Sequence, residues 1–279
     1  MTVLVLSATG TTGRATVPAL LARGAQVRAA TRTPTTTHFE ENVEVVRFDP
    51  LDPSTWGSAL RGVHSLYFCL PTPLADEVEQ SLALVEAAQA HGVERIVMLS
   101  AFRTETVSYA PHKKIEAAIE ASTMRWIHLR PNFFSDNFLQ YLTPDNVITL
   151  PASTGRTSFV AASDIGEAAA VALLSEQHGE TWTLTGPQAL DHQQVTSILG
   201  QVLGRKVQYN DIPADLFATM LTQYMGVPPQ KAAAMSMVYG VDVAQDKYAP
   251  IFEDLPRVLG RPATSFLQWA ETNASAFAS

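Results

Sequence analysis

Apolar residues in the first half of the chain gather into short runs, each closed by small, polar, Gly or Pro residues. Runs at 3–6, 26–31, 43–48, 65–70, 95–100 and 125–129 are rich in β-branched and aromatic residues and predict six strands. Between them the apolar spacing changes to three and four. Stretches 14–23, 53–60, 74–91 and 112–121 predict helices. In the third, Val78, Leu82, Val85 and Ala88 share one face, and Gly92 stands where a C-terminal cap belongs. Regular alternation of strand and helix predicts an α/β architecture, a parallel sheet covered on both faces.

Beyond position 131 the alternation loosens. Strands are expected at 147–150, 157–160, 181–185 and 206–209, and helices at 163–174, 191–203 and 214–225. A closing helix is expected at 264–274 with Phe266, Leu267 and Trp269 turned inward. The segment 225–256 carries Met225, Met235, Met237, Tyr239, Tyr248 and Phe252 among several prolines. It reads either as a cap facing a substrate or as ordinary core filled by adaptable methionines.

Composition narrows the function. With 279 residues, 46% hydrophobic and 16% charged, the chain has material for a large core. Nineteen Lys and Arg against 27 Asp and Glu leave a net charge of −8 without a basic cluster, so nucleic acid is not an expected partner. Cys69 is the single cysteine, which excludes an internal disulfide. Together with the lack of a signal peptide it predicts a cytoplasmic location. No apolar run reaches membrane-spanning length, no His/Cys spacing predicts a metal, and no G-x-S-x-G elbow predicts a serine hydrolase.

The candidate chemistry begins where the first strand ends, in Ser7-Ala8-Thr9-Gly10-Thr11-Thr12-Gly13. A buried strand, a small-residue turn and a helix form the opening unit of a Rossmann-type dinucleotide fold. There the helix N-terminus offers free N–H groups and a positive dipole end to a pyrophosphate. Ser7, Thr9, Gly10, Thr11, Thr12 and Gly13 are therefore candidate cofactor residues, with Ser7 standing where the pattern has its first glycine. If that position needs a positive φ, a serine there is strained. The second strand ends in Arg32, nineteen residues after Gly13, with no acid before Glu40. A guanidinium at that point suits a 2′-phosphate, so NADP(H) is the expected cofactor. Asp49, after the third strand, is placed to accept from an adenine amino group, and Asp52 to cap the next helix. Leu70 and Pro71 close the fourth strand and Ser100 the fifth, on the edge where such sheets bind ligands. The expected division is a nucleotide-binding domain over 1–150 and mainly a smaller substrate lobe over 151–279, interleaved in one compact unit.

Taken together, SATGTTG, the VRAATR leading to Arg32, HKKIEAAIEAS at 112–122, LRPNFFSDNFL at 129–139 and FVAASDIGEAAAVAL at 159–173 resemble the NmrA-like group of atypical short-chain dehydrogenase/reductases. The resemblance implies a Rossmann-type fold and NADP(H). It also implies either an NADPH-dependent reductase of a small aromatic, quinone or enone-like acceptor, or a non-catalytic NADP(H)-binding redox sensor working through protein contacts. Pro131, Asn132, Phe133 and Phe134 then fall on the nicotinamide side of the pocket. Tyr109 and Lys113 have the Y-x-x-x-K spacing of short-chain dehydrogenases, in which a cation lowers the tyrosine pKa. Pro111 between them suits the first turn of a helix and leaves Tyr109 outside it. His112 aligns with the catalytic lysine of the plant phenylpropanoid reductases, and its near-neutral pKa suits a proton donor. The expected partner is a small molecule, and the protein a monomer or homodimer.

Overall fold

The structure is a computed structural model that describes residues 1–37, 39–70, 78–106 and 111–277. The six expected strands form, as β1 (Thr2–Val5), β2 (Gln26–Thr31), β3 (Glu44–Arg47), β4 (Ser65–Phe68), β5 (Arg95–Leu99) and β6 (Arg125–Pro131). With β8 (Glu180–Leu184) they make one parallel sheet in the order β3-β2-β1-β4-β5-β6-β8. Val3, Leu4 and Val5 are fully buried, as a central strand covered on both faces must be. Helices α1 (Thr11–Leu21), α2 (Trp56–Leu60), α3 (Val78–Ala90) and α4 (Pro111–Glu120) follow the first, third, fourth and fifth strands. Asp52 caps the short 3₁₀ turn before α2 by accepting from the Ser54 N–H. The Gly92 backbone, at φ 79°, closes the end of α3.

The polypeptide divides into two compact units that interleave along the sequence. Unit 1 comprises 1–131, 162–184 and 254–261, and unit 2 comprises 132–161, 185–253 and 262–279. The chain thus crosses between the units at 131, 161, 184, 253 and 261, and not once near 150. The physical reason is that β6 needs a neighbour. After leaving the sheet the chain returns through α6 (Ala162–Leu174) to place β8 beside it. The stretch holding α10 (Asp254–Leu259) comes back a second time, with Asp254 accepting from the Thr183 N–H at 2.9 Å and Arg261 reaching Asp164 at 2.8 Å.

Unit 2 holds α5 (Phe138–Tyr141), a parallel pair of β7 (Val147–Leu150) and β9 (Gln208–Asp211), then α7 (His192–Leu203), α8 (Ala214–Met225), α9 (Pro229–Met237) and α11 (Phe266–Thr272). Three expectations change here. Residues 157–160 form isolated bridges and no strand, because Thr157, Ser158 and Val160 donate to Leu190, Tyr248 and Phe133, on three separate segments. In α11, Phe266 and Trp269 are buried but Leu267 is 36% exposed, since one residue along a helix turns the side chain about 100° off the inner face. In 225–256, Met225 and Met237 lie outward at 69% and 60% exposure, Met235 is half-buried and Phe252 is 40% exposed, while Tyr239 and Tyr248 are buried. The two tyrosines, not the methionines, fill that core. Among the described residues no helix is long and apolar enough to cross a membrane.

Candidate functional site

The strand order reverses direction between β1 and β4, and the turn leaving β1 sits at that switch. Ser7 adopts φ 48°, in the left-handed region, and directs its carbonyl oxygen to accept from Gly10 N–H at 2.8 Å. A non-glycine residue there carries about 1–2 kcal/mol of strain. The serine standing in for the first glycine is thus held in a glycine conformation. Ser7→Gly is expected to raise stability by about 0.5–1 kcal/mol, the relieved strain less the entropy of glycine, read from urea denaturation.

Gly13 is demanded more strongly: a Cβ there would lie 2.2 Å from the Ser7 oxygen and 2.7 Å from the Ala8 Cα. The turn and the first coil of α1 touch backbone to backbone. Gly10 is the N-cap of α1 and supplies no side chain to its first N–H groups, which a helix cannot satisfy internally. Thr9, Gly10 and Thr11 are exposed; Thr12 is buried, its hydroxyl 3.5 Å from the Cys69 sulfur. Burial pushes the Cys69 thiol up to about 11, so it stays protonated and inert. Arg14, which the sequence pattern did not single out, braces the turn by donating from Nε to the Thr9 carbonyl at 2.9 Å. An open groove of about 470 Å³ runs beside it, lined by Arg14, Val17, Pro18, Phe39 and Glu40.

Arg32 follows β2 on the same edge, exposed, and its guanidinium meets no hydrogen bond or ion pair among the described residues. Asp49 is half-buried and accepts from the Leu51 N–H at 3.0 Å, a turn-forming bond that leaves its second oxygen open. Leu70 ends the described part of the fourth strand's exit, and Pro71 lies outside the described residues. Pro131 is buried at the end of β6, and its carbonyl accepts from Phe102 N–H at 3.0 Å.

At the end of β5 the site acquires charge. The Ser100 hydroxyl is buried, 3.3 Å from that of Thr104, and hydrogen-bonds Glu116. Glu116 projects from α4 yet is only 3% exposed. Arg130 of β6 grips its carboxylate with two bonds, 3.0 Å from Nε and 2.8 Å from a terminal nitrogen, and reaches Glu105 at 2.7 Å. Burial pushes the Glu116 carboxyl up, but the bonds from Arg130 and Ser100 outweigh it and hold it below its usual range. His128, fully buried on β6, lies 3.2 Å from Glu120, one turn further along α4.

His112 opens α4 directly after Pro111, the N-terminal proline expected there. Burial lowers its pKa, and the Glu116 carboxylate opposes that fall. Lys113 is exposed, and Tyr109 lies outside the described residues, so His112 is the candidate donor whose surroundings are described. The Glu116–Arg130 pair went unread in the sequence. Its signal was a glutamate on the apolar face of α4, four residues after His112, with an arginine ending the next strand.

In unit 2, the Asn132 side chain is wholly engaged. Its amide donates to the Ser158 hydroxyl at 2.7 Å and the Tyr248 carbonyl at 2.8 Å, and its oxygen accepts from Phe133 N–H at 2.8 Å. That arrangement fixes the segment and presents Phe133, half-buried, against Tyr239 and Tyr248 with ring centroids 4.9 and 5.0 Å away. Tyr239 belongs to a π-helical turn at Val238–Val243, and its hydroxyl lies 2.8 Å from that of Tyr141. Such turns often mark functional positions. The Asn132 side chain is thus spent within unit 2, and Phe133 stays half-buried against the two tyrosines.

A profile of the NmrA-like family matches residues 1–268. Among characterised proteins, the NAD(P)H azoreductase of Xenophilus azovorans is 29% identical over 290 residues, covering 99% of each chain. Among solved structures, the triphenylmethane reductase of Citrobacter sp. complexed with NADP(H) superposes with a TM-score of 0.82 at 24% identity, over 98% of this chain and 100% of that one. The NADPH-dependent quinone oxidoreductase of Escherichia coli complexed with NADPH gives a TM-score of 0.83 at 22% identity, over 97% and 99%.

Proposed function

The chain belongs to the NmrA-like family and is an NAD(P)H-dependent reductase, and we propose that it reduces a small planar acceptor of aromatic, quinone or enone character with NADPH. The observation that carries the cofactor is the cradle at Gly13: a turn with room for no Cβ, followed by an uncapped helix N-terminus. N–H groups of that first coil hold the pyrophosphate. Arg32 meets the 2′-phosphate with its charge, while Asp49 accepts from the adenine amino group. When bound, NADPH supplies the hydride. His112 donates the proton that the reduced acceptor needs, from a half-buried position at the start of α4. Likeness to an azoreductase supports a conjugated acceptor.

Two measurements test this reading. Arg32→Ala is expected to weaken NADPH binding by roughly 10- to 100-fold, the worth of a charge-assisted contact of about 1.5–3 kcal/mol, and to change NADH binding little. Equal weakening of both nucleotides overturns the role of Arg32. For the reaction, NADPH oxidation is followed over a panel of quinones, enones and azo dyes. Tight NADPH binding without oxidation of any of them overturns the acceptor class and favours the NADP(H)-binding sensor.

A further inference from the structure

His112 stands in a place hostile to the proton it must donate. Burial removes water from the charged imidazole, and the second position of a helix puts it at the positive end of the α4 dipole. A donor so placed needs a compensating negative charge close by. The next turn of the same helix supplies one: Glu116, four residues on, shares the face of His112.

We propose that Glu116 is the positioning residue of His112, a buried carboxylate that stabilises the positive charge His112 carries before it gives up its proton. The proposal rests on the catalytic reading of His112 above. Three features make the carboxylate fit for this and not merely present. It is 3% exposed, so water screens it weakly. Arg130 holds it with two bonds and Ser100 with a third, so it stays ionised and cannot swing away. And among the described residues the charge acting on His112 is Glu116 itself. The other charged groups of the neighbourhood act elsewhere. From β6, Arg130 faces Glu116 and Glu105, and His128 faces Glu120 while also feeling the Glu116 charge, so its own signal is followed beside that of His112. Lys113 and Lys114 point to solvent.

A stabiliser of the charged form and a merely structural ion pair predict different things for the imidazole. Histidine NMR titrations, on protein saturated with NADP, follow the His112 ring directly, its signal assigned by its loss in His112→Gln. Glu116→Gln is expected to move the His112 midpoint to lower pH by about half a unit or more, as loss of a near, poorly screened opposite charge requires. The limb of kcat/KM that falls with rising pH moves with it, and turnover at pH 7 drops by about threefold or more while KM for NADPH stays. If the single variant does not fold, because Arg130 loses its bidentate partner and keeps only Glu105, Glu116→Gln with Arg130→Met removes the whole pair and predicts a downward shift of the same sign, smaller because the opposing Arg130 charge goes with it. An unmoved midpoint in a folded variant overturns the proposal. A moved midpoint beside a fully active His112→Gln overturns instead the catalytic reading on which it rests.

Discussion

Gly13→Ala is expected to abolish tight NADPH binding and to lower the stability of the protein by about 3 kcal/mol or more. In a helix interior the same exchange normally stabilises by about 1 kcal/mol, so a loss of this size isolates the clash. The added methyl would stand 2.2 Å from the Ser7 oxygen and 2.7 Å from the Ala8 Cα, both backbone atoms that no rotamer change can withdraw. Nor is α1 free to slide away, because at Gly166 a Cβ would already lie 2.5 Å from the Ala15 backbone, the mark of helices α1 and α6 in contact. The turn must therefore open, which moves the N–H groups proposed to hold the pyrophosphate. Gly10→Ala is the control. Its Cβ would meet the same Ser7 oxygen at 3.2 Å, which a shift of a few tenths of an ångström relieves. Urea denaturation and NADPH titration of the two variants check this, and equal effects would refute it.

The second large effect concerns pH. His192 begins α7, is 1% exposed and has neither ring nitrogen hydrogen-bonded. It stacks on Tyr209 at 5.2 Å and packs against Phe138 and Phe159, an environment made for a neutral ring. Burial pushes its pKa down to about 4, against weaker opposition from Asp191 and Asp211. In the unfolded chain the imidazole titrates near 6.5. Above that value the group leaves stability unchanged. As pH falls from 6.5 towards 4 the unfolded state takes up a proton that the native state refuses, and stability is lost, up to about 3 kcal/mol. Between pH 7.5 and 5 the loss is about 2 kcal/mol. His192→Phe keeps a flat ring against Tyr209 and removes the titration. Its stability relative to the parent should therefore rise by about 2 kcal/mol over that interval in urea denaturation. A constant difference would show that the folded protein takes up the proton on His192 as readily as the unfolded chain does, and would overturn the lowered pKa.

Much of the fold was legible because its signals are local. The first six strands of the sheet stand within a few residues of their expected places, and the signal is clearest at β1, β4 and β5, where burial on both faces demands an apolar run. The place of Arg32, exposed directly after β2, was legible from spacing alone, because β1, the turn, α1 and β2 are consecutive and leave the chain little freedom. Errors cluster where backbone partners are distant. Residues 157–160 look like a strand but bond to three separate segments. Leu267 looks inward only until the register of α11 is known. The Glu116–Arg130 pair was missed because two charged residues fourteen positions apart meet only across a helix and a strand.

By itself, then, the amino-acid sequence determined the alternating sheet, the tight small-residue turn after β1 and the absence of an acid at the end of β2. Each of these depends on near neighbours and on residue size and charge. Only the tertiary structure decided the conformation of Ser7, the engagement of Asn132 within unit 2, and the burial of Glu116 and His192. Those properties depend on which remote backbone crowds a position and how much water is left beside it, and neither is written in the order of the residues.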